Sequence, residues 1–327
     1  HANKKQVPLW PLAQARANRT PIDWSSYAPP PPKFIGRRVF RNFDLAELAR
    51  YIDWGPFFQT WDLAGPFPAI LKDEVVGAEA QRVLSDGKRM LQRLIEGRWL
   101  TANAVVGLYP ANRVNDDDIE IYADESRRQV LMTWHGLRQQ AEKQLIDGVM
   151  RPSRCLADFV APRGAAADYI GLFAVTAGIG VEQKERYFLA DHDDYSAIML
   201  KALADRLAEA FAECLHARVR QDLWGYAPDE ALSNEDLIAE KYRGIRPAPG
   251  YPACPDHSPK REMFAVLQAE EIGMGLTDSL AMTPAASVSG FYLAHPEARY
   301  FNVGRIGDDQ LADFAQRHGL AEADARR

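Results

Sequence analysis

Cysteine is scarce in this sequence: 327 residues contain only Cys155, Cys214 and Cys254. They are far apart, odd in number and include no Cys-x-x-Cys pair, which argues against a zinc ribbon and a thioredoxin-type redox site. A sparse set of this kind is typical of a reducing compartment, where each thiol packs as a small buried apolar group.

The chain also lacks a basic run and a long apolar run. It has 39 Lys and Arg against 45 Asp and Glu and a net charge of −6, whereas proteins that hold nucleic acid usually carry a basic excess. No apolar stretch approaches the roughly 18 residues that a membrane span requires, and the N-terminus has no signal-peptide core. We therefore expect neither a nucleic-acid partner nor a membrane partner.

Common cofactor motifs are missing too. The sequence contains no GxxxxGK[ST] phosphate loop, no HExxH zinc helix and no GxSxG nucleophile elbow. Residues 176–182, TAGIGVE, lack the third glycine of a dinucleotide fingerprint, so an ordinary turn is expected there. The acidic stretch ADHDDY around His192 stands at the start of a predicted helix, which favours helix capping over a metal site.

What is present is an ordinary globular composition, 47% hydrophobic and 26% charged. The length allows one large domain or two small ones. Four consecutive prolines, Pro29–Pro32, favour an extended polyproline arm that lies on the surface or joins a preceding domain. We therefore divide the chain into a proline-rich linker arm, residues 1–33, and a domain, residues 34–327.

Apolar periodicity predicts the main elements of that domain. Helical spacing is clear over 73–96 and in a long helix that begins at Asp193 or Asp194, with apolar residues at every fourth position from 199 to 223. Strands are expected near 34–43, 103–111, 117–124, 128–138 and 168–178, the last one central, and residues 286–304 are expected to form a β-hairpin. Because these strands do not alternate regularly with helices, an antiparallel α+β arrangement is favoured.

One loop has the composition of a preformed binding element. Residues 243–257 read RGIRPAPGYPACPDH, and the prolines restrict the backbone while Gly250 permits a turn or the close approach of a ligand. Arg246 stands at the start of this stretch, and its planar guanidinium matches a carboxylate. The alternative is a rigid surface connector on which this arginine has no ligand.

Acidic partners for such a site are available in two other segments. Asp53 opens the aromatic stretch DWGPFFQTW, and Glu209 lies in the middle of the long helix between two alanines. Either can equally be a solvated or capping carboxylate. A zwitterionic amino-acid ligand would need one cation and at least one anion, and nearby aromatic surface would suit a flat base or a sulfonium.

Several long motifs, in one order, resemble a known family. From about residue 21 to the end, the chain resembles the C-terminal reactivation domain of cobalamin-dependent methionine synthase. The motifs that carry the resemblance are YIDWGPFFQTWDLAG, VVGLYPANRVNDDDIEIY, LADFVAP, HDDYSAIMLKALADRLAEAFAECLH, RGIRPAPGYPACPDH and AASVSGFYLAHPEARYF.

The resemblance implies a C-shaped single domain built around a twisted antiparallel sheet with flanking helices, and a site for S-adenosylmethionine. In that site Arg246 would bind the methionine carboxylate. The family often has a second tyrosine where this chain has Phe301, so a hydroxyl contact at that position is not expected. The binding positions carried over from the family are Asp53, Glu209, Arg246, Ala248, Gly250, Tyr251, Tyr300 and Phe301.

The implied activity is that of a methyltransferase module: reductive methylation of cob(II)alamin, with S-adenosylmethionine as methyl donor and an electron from flavodoxin or a flavoprotein reductase. No side chain need act as a general acid or base, so no residue is designated catalytic. The cobalamin signature DxHxxG and a thiolate set for zinc are absent. Cobalamin is therefore expected on a separate domain of the same polypeptide, zinc only in the full-length enzyme, and the isolated domain is expected to be incomplete as an enzyme and cytoplasmic.

A second hypothesis is a docking module that covers cobalamin and receives flavodoxin, with vestigial ligand binding. Flavodoxin is usually acidic, so a docking face would need a basic patch. Arg37, Arg38 and Arg41, or Arg127 and Arg128, are the candidates for that patch.

Overall fold

A computed structural model describes residues 6–319, and ten strands lie within that range. Six of them form one antiparallel sheet in the order β10–β7–β2–β3–β4, with β1 paired to β2 on the side where β3 also pairs. The antiparallel α+β prediction is confirmed. In chain order the strands are β1 (Gly36–Phe40), β2 (Thr101–Val114), β3 (Asp118–Tyr122), β4 (Val130–His135), β5 (Leu145–Ile146), β6 (Val149–Met150), β7 (Asp168–Ile179), β8 (Gly275–Leu276), β9 (Met282–Thr283) and β10 (Ser287–Tyr292).

Helices cover both faces of the sheet, and among the described residues none is long and apolar enough to cross a membrane. The described residues also include 3-10 helices at Gly55–Trp61, Ala69–Lys72, Leu156–Phe159 and Ala269–Ile272. The α-helices are α1 (Leu12–Ala17), α2 (Leu45–Ala49), α3 (Gly77–Glu96), α4 (Val181–Ala190), α5 (Asp194–Arg218), α6 (Asn234–Ile238), α7 (Pro259–Leu267) and α8 (Asp308–His318).

The two long central strands, β2 and β7, are buried on both faces. Along β2, Ala104 and Val106 pack into the layer that contains α3 and α5, whereas Val105 and Tyr109 pack into the opposite layer with α7. Successive side chains of a strand point to opposite faces. A strand covered on both sides therefore needs an unbroken apolar run, which is what residues 104–111 supply.

Helix α5 is the main support of the sheet. Asp193 caps it, since its side chain accepts a hydrogen bond from the Ser196 N–H at 3.0 Å. The predicted stripe is confirmed: its members are buried, and the helix continues through one π-helical turn, Val219–Leu223. The residues of the stripe are Met199, Leu203, Leu207, Phe211, Leu215, Val219 and Leu223.

The N-terminal arm lies against the domain over its described length. Leu12 and Ala15 of α1 are buried, and the Leu12 N–H donates to the Asp309 carboxylate at 2.8 Å. Further along, the Pro30 carbonyl accepts a hydrogen bond from the Trp224 indole at 2.8 Å. The boundary at residue 33 stays a prediction.

The hairpin predicted over 286–304 is wrong. Only β10 forms, and its outer edge pairs with the proline-rich loop: the Phe291 N–H donates to the Pro247 carbonyl at 2.9 Å, and Ile245 and Leu293 exchange two hydrogen bonds of 3.0 Å. The backbone groups that a returning strand would need are thus already bonded. The chain after Leu293 runs past the loop, where the Val303 N–H donates to the Pro252 carbonyl at 2.9 Å.

Gly290 of β10 makes this edge contact possible, and it supplies a test of the arrangement. A Cβ at this position would lie 2.5 Å from the Pro247 carbonyl oxygen and 2.9 Å from the Phe173 ring. Gly290→Ala should push the loop off the strand and lower the free energy of unfolding by about 1–3 kcal/mol. Urea denaturation measures the change, and an unaltered midpoint with an unaltered slope would contradict the packing.

Candidate functional site

A cavity of about 520 Å³ lies where α5, the edge of β10, the proline-rich loop and the segment after Ala298 meet. Three different parts of the chain supply its walls, and the sheet contributes Phe173 and Val288. The structure brings together six of the eight sequence-predicted positions at this cavity: Glu209, Arg246, Ala248, Tyr251, Tyr300 and Phe301.

The Arg246 side chain is anchored by the helix behind it. Its Nη1 lies 3.0 Å from Oε1 of Glu213 and its Nη2 lies 2.8 Å from Oε2, a two-bond ion pair between the loop and α5. Both side chains are largely buried, exposing 18% and 10% of their surface. Burial alone would lower the pKa of Arg246, but Tyr242 and Glu213 raise it above the ordinary arginine value, so the guanidinium is charged.

Two tyrosines fix the backbone at the same point. The Tyr300 hydroxyl accepts a hydrogen bond from the Arg246 N–H at 2.9 Å and lies 2.7 Å from the Tyr242 hydroxyl. Burial raises the pKa of both phenols, which are therefore protonated at neutral pH. The two hydroxyls together fix the position of the Arg246 backbone relative to the cavity wall.

His216 is a fully buried neighbour of the arginine. Its Nδ1 lies 3.0 Å from Nη1 of Arg246, and burial together with the charges of Arg220 and Arg246 lowers its pKa well below the ordinary value. The imidazole is therefore neutral. Because arginine only donates, Nδ1 accepts the bond and the ring proton is assigned to Nε2.

Carboxylates exceed cations around the cavity. Glu209 and Glu240 line it, with Glu213 behind Arg246. Burial raises the pKa of Glu209 against the opposing effect of Arg206 and Arg246, and burial likewise raises the pKa of Glu240. Since Glu213 already neutralises the Arg246 charge, the remaining carboxylates give the cavity a negative potential suited to a cation.

Gly250 and Asp53 are not among the cavity-lining residues, and their role as binding positions stays a prediction. Gly250 has φ of +91°, and an added Cβ would lie 2.2 Å from the His257 ring, so it serves the turn of the loop. The Asp53 carboxylate accepts a hydrogen bond from the Gly55 N–H at 2.9 Å. The Asp53 backbone carbonyl lies 3.5 Å from Nη1 of Arg206, a residue one turn of α5 before Glu209.

Sequence reasoning missed four residues of this site: Glu213, His216, Glu240 and Tyr242. For two of them, the spacing in the sequence gave an indication. Glu213 and His216 follow Glu209 at spacings of four and seven, which places all three on one face of a helix. Nothing in the spacing of Glu240 or Tyr242 indicated that they would fold back beside the loop.

No group of three or more His, Cys, Asp or Glu that could hold a metal ion occurs within residues 6–319. In the stretch around His192, the Asp193 side chain caps α5. The residues that line the cavity offer charge, hydrogen bonds and aromatic surface to a ligand.

Two comparisons with known proteins match this chain. A family model described as the vitamin B12 dependent methionine synthase activation domain matches residues 44–319. Among solved structures, the chain is similar to that of the MetH reactivation domain bound to AdoHcy, S-adenosylhomocysteine. The identity is 52% over 98% of this chain and 97% of that one, with a TM-score of 0.92.

The tyrosine pair can be tested without any ligand. Tyr300→Phe removes the hydroxyl that accepts from the Arg246 N–H, and because this N–H is near solvent the loss should be modest, about 1 kcal/mol of unfolding free energy. Tyr187→Phe is the matched control, since Tyr187 is 63% exposed and its hydroxyl has no hydrogen bond within the described chain. Equal urea midpoints for the two variants would show that the Tyr300 bond does not hold the loop.

Proposed function

The chain belongs to the activation-domain family of vitamin B12-dependent methionine synthase, as its motifs predicted, and from that premise we propose that it binds S-adenosylmethionine in the cavity beside Arg246. The whole enzyme is a methyltransferase, and this domain is its reactivation module. The observation that carries the proposal is the convergence of Arg246, Glu209 and Tyr300 on one cavity. The related structure holds the demethylated form of the same ligand.

The charges of the ligand and of the cavity are complementary. S-adenosylmethionine has one carboxylate and two cations, the ammonium and the sulfonium. Arg246 offers hydrogen bonds to the carboxylate, and Glu209 and Glu240 offer negative charge to the cations. The aromatic rings of Tyr251 and Phe301 supply apolar surface for the adenosyl group, and a volume of about 520 Å³ is within the range of small-molecule sites.

The role of the chain's own residues is to hold and orient the methyl donor. Cobalamin, carried on a separate domain, would supply the nucleophile that receives the methyl group. The loop around Arg246 fixes one end of the donor, and burial of the sulfonium beside carboxylates excludes water from it. No proton transfer by a side chain is required, and reductive methylation of this kind is the proposed reaction.

The partner domain needs an open face next to this cavity. A second cavity, of about 790 Å³, is lined by Asp205, one helical turn before Glu209 on α5, and by Ala286, which precedes β10. We assign this part of the surface to the cobalamin-binding domain of the same polypeptide. Zinc is assigned to other domains of the full-length enzyme.

Flavodoxin or a flavoprotein reductase is the proposed electron donor, and the cytoplasm the proposed location. The docking hypothesis requires arginines that are free to bind an acidic partner, and most of the candidates are already hydrogen-bonded. Arg37 and Arg41 bond Glu271 and nearby carbonyls, and Arg127 bonds the Ala111 and Asp168 carbonyls. Three of the five candidate arginines are therefore bonded within the domain, and methyl-donor binding is the favoured function.

Replacing the arginine fork tests the binding proposal. Arg246→Lys keeps the positive charge but loses the paired donors, so S-adenosylmethionine should bind about 10- to 100-fold more weakly. Isothermal titration calorimetry measures this, with Arg261→Lys, an exposed arginine bonded only to a carbonyl at 3.4 Å, as the control. Unchanged affinity in Arg246→Lys would remove this side chain from the site.

Binding should also depend on pH. Burial raises the pKa of Glu209 and Glu240, so lowering the pH protonates them earlier than an ordinary glutamate and removes the charge that attracts the cations. Affinity should fall as titrations move from about pH 8 to about pH 4.5, and Glu209→Gln should flatten the fall.

Protonation of Glu209 and Glu240 does not itself destabilise the ligand-free protein. A carboxyl whose pKa is raised in the folded state binds more protons when folded, so these two groups add stability to the ligand-free protein as the pH falls. The affinity and the stability contributed by Glu209 and Glu240 therefore change in opposite directions. Affinity that is constant over the whole range would contradict their proposed contact with the ligand.

A further inference from the structure

The guanidinium of Arg246 has five N–H groups, and the protein uses three of them. The two on Nη1 point to Glu213 at 3.0 Å and to His216 at 3.0 Å, with the Tyr242 hydroxyl at a longer 3.4 Å. One on Nη2 bonds Glu213 at 2.8 Å. The Nε–H and the second Nη2–H have no hydrogen-bond partner within residues 6–319.

These two groups lie on the same edge of the planar guanidinium and form a second fork that matches a carboxylate. Arg246 lines the cavity, whereas Glu213 and His216 do not. One fork is thus occupied by residues that do not line the cavity, and the fork that remains is the one available to a ligand.

We propose that Glu213 and His216 are positioning residues that hold the guanidinium so that its Nε–Nη2 edge receives the carboxylate of the methyl donor. This inference rests on the proposed function and identifies the residues that orient the Arg246 guanidinium. An arginine held by one fork has lost most of its rotational freedom before the ligand arrives, so less entropy is lost on binding.

Glu213 also sets the charge that the ligand meets. The Arg246–Glu213 pair has no net charge, so the ligand carboxylate is selected by the geometry of two hydrogen bonds. Glu209 and Glu240 line the cavity and form no ion pair within residues 6–319, so they stay available to the cationic groups. Without Glu213 the arginine could turn toward those carboxylates and fill the cation site itself.

His216 is the second residue that restricts rotation of the Arg246 guanidinium. Its ring is stacked on Tyr292 with 5.1 Å between centroids and meets Tyr242 edge-on at 4.7 Å, so it cannot rotate freely. Its Nδ1 lone pair takes the remaining Nη1–H and leaves that nitrogen with no donor for a ligand. A protonated imidazole would repel the guanidinium. Burial of His216 keeps the imidazole neutral and so prevents this repulsion.

The test compares two ligands that differ only in the carboxylate, S-adenosylmethionine and its decarboxylated analogue, by calorimetry on the intact chain. The unaltered protein should prefer the carboxylate form by about 10- to 100-fold. In Glu213→Gln this preference should fall to a few-fold while the analogue binds nearly as before, because glutamine cannot accept from both arginine nitrogens. His216→Leu should act in the same direction, and His216→Asn should restore part of the preference.

Glu230→Gln is the matched control. Glu230 also forms a two-bond ion pair with a buried arginine, in this case through Nε and Nη2 of Arg220 at 2.6 and 3.0 Å, yet neither residue lines the cavity. It should lower stability without changing the ratio of the two affinities. Equal weakening of both ligands in Glu213→Gln, or no weakening at all, would overturn the positioning role while leaving the proposed function in place.

The remaining outcomes are also decisive. Equal affinity of the unaltered protein for the two ligands would show that the second fork does not bind the carboxylate. Failure of the unaltered protein to bind S-adenosylmethionine would overturn the proposed function, and the positioning role with it.

Discussion

The ion pair between Arg246 and Glu213 joins the two parts of the molecule on which the cavity depends. Glu213 belongs to the helix that supports the sheet, and Arg246 opens the loop that borders β10. A buried ion pair is weak evidence for stability, because desolvation of both charges offsets much of their attraction. Its effect here is to select one arrangement: if either charge were removed, the other would remain buried without an opposite charge.

The prolines and Gly250 shape the loop that occupies this place. A β-strand edge with unpaired backbone groups invites another strand, and β10 has such an edge. Residues 245–247 satisfy it with a few hydrogen bonds, after which proline, lacking an N–H, ends the pairing. The loop then turns away from the sheet and leaves a cavity where a further strand would have closed it.

The electrostatic character of the site follows from burial as much as from composition. Glu209 and Glu240 would be ordinary surface groups elsewhere, but at the cavity their charged forms are poorly solvated, which raises their pKa. A cationic ligand relieves that cost, whereas a neutral one does not. The same surroundings keep His216 neutral, so that its Nδ1 can accept a hydrogen bond from Arg246.

The sequence alone determined the elements whose signal is local or periodic. The stripe from Met199 to Leu223, the apolar run of β2, the Asp193 cap and the stiffness of residues 243–257 all follow from side-chain periodicity and restricted backbone angles. The family motifs likewise pointed to Arg246, Glu209 and Tyr300 as neighbours. The tertiary structure decided what occupies the edge of β10, where a predicted hairpin gave way to the loop. It also decided that Glu213, His216 and Tyr242 surround the arginine, because hydrogen bonds and desolvation between distant segments depend on distances that exist only after the chain has packed.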